Sequence, residues 1–132
     1  MIELDIFSDT ICPWCYIGKK RLDKAIEKHN HLEFKQTWRP FQLNPSMAPD
    51  GMDRQEYLVS KFGSADAAKT IYDNIYEEGL KVGIDFNFDS IEVTPNSFNS
   101  HRLLALAYEK NIQIEVLDDL FESFFLKGED IG

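Results

Sequence analysis

At the start of the chain Ile2, Leu4 and Ile6 alternate with Glu3, Asp5 and Phe7, the period-two pattern of a strand with one apolar face and one mixed face. After the connection Ser8–Ile11 the period changes. From Pro13 onward Cys15, Gly18, Leu22, Ala25, Ile26 and His29 share one helical face, while Lys19, Lys20, Asp23, Lys24, Glu27 and Lys28 fall mostly elsewhere. This predicts an amphipathic helix that opens at two cysteines. Leu32, Phe34, Gln36 and Trp38 then alternate with Glu33, Lys35, Thr37 and Arg39, a second strand that Pro40 ends because proline has no N–H to give a ladder. Strand, helix and strand between Ile2 and Pro40 predict a right-handed βαβ unit with parallel strands.

The next stretch holds Pro40, Pro45, Pro49 and Gly51 and reads as a rigid connection leaving the sheet. Beyond it the pattern is mainly helical. Asp53 with Glu56 fits a capping-box-like start for a helix ending near Gly63, and Ser64 is placed to cap another running to about Val82. Residues 85–95 read as extended or looped. Phe98, Leu103, Leu106 and Ala107 recur at helical spacing, as do Val116, Leu117, Leu120, Phe121, Phe124 and Phe125 before a stop at Gly128. Phe124 and Phe125 are expected in the core. No repeat or low-complexity segment is present.

Composition narrows the function classes. The 132 residues are 43% hydrophobic and 13% aromatic, with ten Phe, enough apolar surface for a globular core. A formal charge of -9 opposes phosphate neutralisation, so nucleic acid is not an expected partner. The short basic run Lys19–Arg21 reads as a solvated helix face. The longest apolar run, Leu103–Ala107, is far too short to span a bilayer, and Glu3 and Asp5 stand where a signal peptide would carry Lys or Arg. With Met1 as the start, the expected location is cytoplasmic, without a membrane anchor. There a close cysteine pair points to redox catalysis or metal rather than a structural disulfide.

Cys12 and Cys15 are the only cysteines. A helix's first turn offers free N–H groups and partial positive charge to a thiolate, a setting that lowers a cysteine pKa from about 8.5 into a range of roughly 3.5 to 7.5. Cys15 lies one turn further on the same face, within reach of a small disulfide ring. Pro13 suits the first turn, where its missing N–H leaves no gap, and Trp14 points outward, able to cover a mixed disulfide or touch substrate. Two other readings stand beside thiol chemistry. Zinc would need ligands beyond this pair, since His29, His31 and His101 show no partnered spacing with it; the cysteines could also be inert.

The stretches SDTICPWCYIGKKRL, WRPFQLNP, YLVSKFG and HRLLALA, in that order, resemble the DsbA-like thioredoxin-fold proteins of the FrnE type, relatives of 2-hydroxychromene-2-carboxylate isomerase and kappa-class glutathione transferase. The resemblance runs from Ile2 to the last residue. It implies an α/β fold in which a thioredoxin-like βαβ part, residues 1–45, is followed by an all-helical insertion, residues 46–132. It also implies protein thiol-disulfide oxidoreductase or isomerase activity, with Cys12 as nucleophile and Cys15 as resolving thiol. The redox-active Cys12–Cys15 disulfide would serve in place of a bound cofactor, with glutathione as a candidate co-substrate and protein or small-molecule thiols as partners.

The chain departs from the family pattern in two ways. The family's returning cis-proline strand, hairpin partner and last helix are not matched, so one edge of Ile2–Phe7 is expected to lie open, to be covered by a homo-oligomer or by strand exchange. The additional cysteine pair of some FrnE-type proteins is not matched either. Where the kappa-related branch typically has serine, this chain has Cys12, which favours disulfide exchange over glutathione-dependent isomerisation. A redox-inactive peptide-binding module is the competing class. Among supporting residues, Asp9 could tune the thiolate or accept a proton, its alternative being a turn or cap. His101 is a candidate for the substrate cleft or a surface position, and Tyr16 for substrate contact or packing. Trp38, Arg39 and Pro40 are expected to be structural.

Overall fold

The computed structural model describes all residues from Met1 to Gly132. Strand β1 (Ile2–Ser8) pairs in parallel with β2 (Phe34–Pro40), in register from Ile2 opposite Phe34 to Ser8 opposite Pro40. Helix α1 (Pro13–Lys28) joins them, because two parallel strands cannot be connected by a tight turn. The ladder closes past the proline, where Phe41 N–H donates to the Ser8 carbonyl at 3.1 Å. In this chain β1 has β2 as its sole strand neighbour.

The expected caps are in place. The Asp53 carboxylate accepts from the N–H groups of Gln55 and Glu56 to open α2 (Arg54–Phe62), and Gly63 ends it at a left-handed φ of 89°. Ser64 Oγ accepts from Ala67 N–H to open α3 (Ala65–Leu80). A short 3₁₀ turn (Phe88–Ser90), then α4 (Phe98–Glu109) and α5 (Gln113–Phe125), complete the chain. One small element was not anticipated: β3 (Met52–Asp53) and β4 (Val93–Thr94) form an antiparallel ribbon. Two-residue strands are too short to show an alternating period. No helix is long and apolar enough to cross a membrane.

A single apolar cluster of 14 buried residues holds these parts together. It runs from Ile11, Tyr16, Ile17 and Trp38 to Ile75, Phe86, Leu117, Phe121, Phe124 and Phe125, and so crosses the expected boundary at residue 45. The inward face of α5 is as its spacing predicts. That of α4 is not: Phe98, Leu103 and Leu106 are exposed, and Ser100, His101, Leu104 and Ala107 point inward. The helix turns its polar residues toward buried polar groups of the β1–α1 turn, which would otherwise lack partners. Lys19 is a second correction. Expected on the solvated face of α1, it is 1% exposed and bridges Asp23 at 2.8 Å and Asp118 of α5 at 2.9 Å. Two carboxylates offset the desolvation of its ammonium.

Candidate active site

The β1–α1 turn is built from consecutive buried residues. Ser8, Asp9, Thr10 and Ile11 are all at least nine-tenths buried, and the Asp9 and Thr10 side chains each have defined partners. Thr10 Oγ1 lies 2.7 Å from Ser100 Oγ of α4. The Asp9 carboxylate is fully buried; Leu43 N–H donates to it at 2.8 Å and His101 Nε2 lies 3.1 Å from it. Burial alone would raise the Asp9 pKa, but the bond from His101, the Leu43 N–H and the Ser97 hydroxyl outweigh it and hold the carboxyl below its usual range. Asp9 is therefore an anion, and His101 Nε2 carries the proton it donates.

This turn delivers the chain to the cysteines. Cys12 N–H donates to the Asp9 carbonyl at 3.2 Å, and Cys12 is the N-cap of α1, with Pro13 in the first turn. The Cys12 carbonyl in turn accepts from Cys15 N–H at 3.1 Å and Tyr16 N–H at 3.3 Å. Both thiols are free and half-buried, and Trp14 between them is 43% exposed.

The ionisation of each thiol is governed first by the other. The hydrogen bond between them raises the Cys12 thiol far above its ordinary value and lowers Cys15 to about 6. The direction that follows for the pair is that the first proton leaves early and the second late, because one thiol stabilises the other's anion. The backbone N–H groups of Trp14 and Cys15 favour a thiolate at Cys12. At Cys15 the Asp9 N–H and the Ser8 hydroxyl favour it, and the Asp9 charge opposes it. Ser8 Oγ is buried without a hydrogen-bond partner, which leaves its proton free to turn toward a thiolate at Cys15.

The residues singled out in the sequence divide accordingly. Cys12, Pro13, Trp14, Cys15 and Asp9 share one corner, and His101 reaches it through Asp9. Tyr16 does not face a cleft: it is 3% exposed, stacked on Phe121 at 4.8 Å and edge-on to Phe86 at 5.9 Å. Its position one residue past Cys15 turns it into the core. Four supporting residues were not foreseen: Ser8, Ser97, Ser100 and Gln113. Gln113 accepts from Trp38 N–H at 2.9 Å and donates to the carbonyls of Trp38 and Leu104, both at 3.1 Å, so one side chain closes the outer edge of β2. Its only sequence signal was its place at the start of an amphipathic helix. No group of three or more His, Cys, Asp or Glu side chains is arranged to hold a metal ion.

Comparison with known proteins gives a consistent picture. The family described as DSBA-like thioredoxin domain matches residues 3–132. A crystal structure of a probable DsbA oxidoreductase from Streptomyces coelicolor superposes with a TM-score of 0.87 at 28% identity, covering 99% of this chain and 57% of that one. An uncharacterised protein of Bacillus subtilis (strain 168), YwbO, is 25% identical over 131 residues, which is 99% of this chain and 60% of the relative. The chain thus spans somewhat under two thirds of the length of the proteins it resembles.

Proposed function

Since the chain belongs to the DSBA-like thioredoxin domain family, we propose that it is the cysteine-bearing part of a protein thiol-disulfide oxidoreductase acting through Cys12 and Cys15. The observation that supports this most is the placement of two free thiols at the N-cap and in the first turn of α1. Such a pair is ionised near neutral pH by its own second thiol, by backbone N–H groups and by Ser8.

In the forward direction the single negative charge of the pair, drawn to Cys12 by the N–H groups of Trp14 and Cys15, makes the Cys12 thiolate that attacks one sulfur of a substrate disulfide. A Cys12–substrate disulfide forms as the substrate's other sulfur leaves as thiolate. Cys15 then attacks the Cys12 sulfur, the protein disulfide closes, and the second substrate sulfur departs. The substrate gains two electrons, the pair loses two, and the departing thiolates take up the protons. The reverse sequence oxidises a dithiol. Protein thiols and glutathione are the expected exchange partners, no further cofactor is needed, and a reducing cytoplasmic setting would favour substrate reduction or isomerisation. Exposed Trp14 offers an apolar cover for the mixed disulfide.

The assignment of roles is tested by trapping. With oxidised glutathione, Cys15→Ser should accumulate a stable glutathione adduct on Cys12, read by intact mass, and Cys12→Ser should accumulate little. An adduct confined to Cys12→Ser would make Cys15 the nucleophile; adducts on neither would remove the proposed activity.

A further inference from the structure

A cleft of about 570 Å³ that neither cysteine lines lies between α2, α3 and the segment Phe86–Ile91, a size within the range of roughly 300 to 1,000 Å³ typical of small-molecule sites. Arg54 lines it and is 4% exposed. The residue is fixed at the first position of α2, with its N–H donating to the Glu92 carbonyl at 2.9 Å where the β3–β4 ribbon ends. One guanidinium nitrogen, Nη1, donates to Thr94 Oγ1 at 3.0 Å. The Nε proton has no acceptor, and none of the protein's ion pairs includes Arg54. Its guanidinium sits 5.2 Å from the Tyr72 ring centre and 5.7 Å from that of Tyr57. Ring faces soften the cost of burying a cation but do not replace an acceptor.

A buried guanidinium with an unused donor is expensive unless an anion completes it. The rest of the cleft defines which anion. Tyr72, Tyr76, Phe86 and Phe88 line it, with Phe86 and Phe88 stacked at 4.6 Å and Tyr72 edge-on to Phe88 at 4.8 Å. Gly79 lets Phe86 approach, since a Cβ there would lie 2.5 Å from the ring. Lys69, Asp73 and Asp89 also line the cleft, and Lys69 and Asp73 are paired at 2.7 Å, so Asp89 leaves these three with a net negative charge. That charge disfavours a multiply charged ligand such as phosphate. We infer that this cleft binds a small monocarboxylate with an aromatic or apolar body, its carboxylate on Arg54 and its ring among Tyr72, Phe86 and Phe88.

The test is a calorimetric and amide-NMR titration of the whole chain with phenylacetate, phenylacetamide and inorganic phosphate. Phenylacetate should bind saturably, with shifts at Arg54, Tyr72 and Phe88. Loss of the charge-assisted bonds should weaken phenylacetamide, or phenylacetate with Arg54→Met, by about tenfold or more. Arg54→Lys, which keeps the charge and loses the fork, should fall between. The wild-type comparison of acid with amide decides the question even if a variant unfolds. No saturation by about 10 mM, far weaker than a useful site, would overturn the inference. So would equal binding of acid and amide, unchanged affinity in a folded Arg54→Met, or phosphate binding as tightly as phenylacetate.

Discussion

Two buried polar regions of this protein are built on opposite terms. In the β1–α1 turn the Asp9 carboxylate is met by Leu43 N–H, His101 and Ser97, Thr10 by Ser100, and the β2 edge by Gln113. In the α2–α3 cleft, Arg54 is as well buried but leaves Nε without an acceptor and no carboxylate beside it. The first region spends its polar groups, Ser8 Oγ excepted, on fixing backbone and leaves reactivity to the two sulfurs. The second keeps a donor unspent. A satisfied network rigidifies a site, whereas an unsatisfied buried cation marks a place where stability is given up.

The largest expected difference lies in removing the centre of each. Asp9→Ala strands Leu43 N–H and His101 in the interior and should cost about 3 to 5 kcal/mol by urea unfolding; a loss below about 1 kcal/mol would mean the network is not holding the turn. Gln113→Ala, which unpairs Trp38 N–H and two carbonyls, should cost about 2 kcal/mol, with faster amide exchange at Trp38. Arg54→Met should be close to neutral, or stabilising by about 1 kcal/mol, since it replaces an incompletely paired buried charge by an apolar chain of similar length. A loss like that of Asp9→Ala would erase the contrast.

pH sharpens the same comparison. Asp9 has its pKa lowered on folding, so its stabilising contribution is fully present above the unfolded carboxyl value of 3.8 and disappears as pH falls through the lower folded value. Asp9→Asn should therefore flatten part of the acid limb of the stability curve. At the thiols, the reduced protein should react with iodoacetamide first at one sulfur with a midpoint near pH 6, the second sulfur following only after the first is alkylated, when rates are followed from pH 5 to 10. Two equal midpoints near 8.5 would show that the sulfurs do not share a proton.

What could be read from the sequence was local. The capping of α2 by Asp53 and of α3 by Ser64 and the N-terminal placement of Cys12 each depend on residues within a few positions of one another, and the parallel β1–α1–β2 unit follows from three successive local periods. What could not be read depends on distant partners. Lys19 looks like a surface residue until Asp118, some hundred positions on, is brought beside it. The face of α4 was misjudged because Leu103 and Leu106 outweigh Ser100 and His101 on any hydrophobic scale, although Thr10 and Asp9 wait for those two polar side chains. Ser8 and Arg54 carry no motif; only the absence of a partner in three dimensions distinguishes them.

Cys12 and Cys15 are proposed to form a working redox couple in a turn held by Asp9. Intact mass after iodoacetamide treatment, following equilibration across a series of glutathione redox ratios, tests it most directly. A reversible two-electron change between two alkylations and none is expected, giving one potential for the pair. Two alkylations at every ratio would mean that the disulfide cannot close and would contradict it.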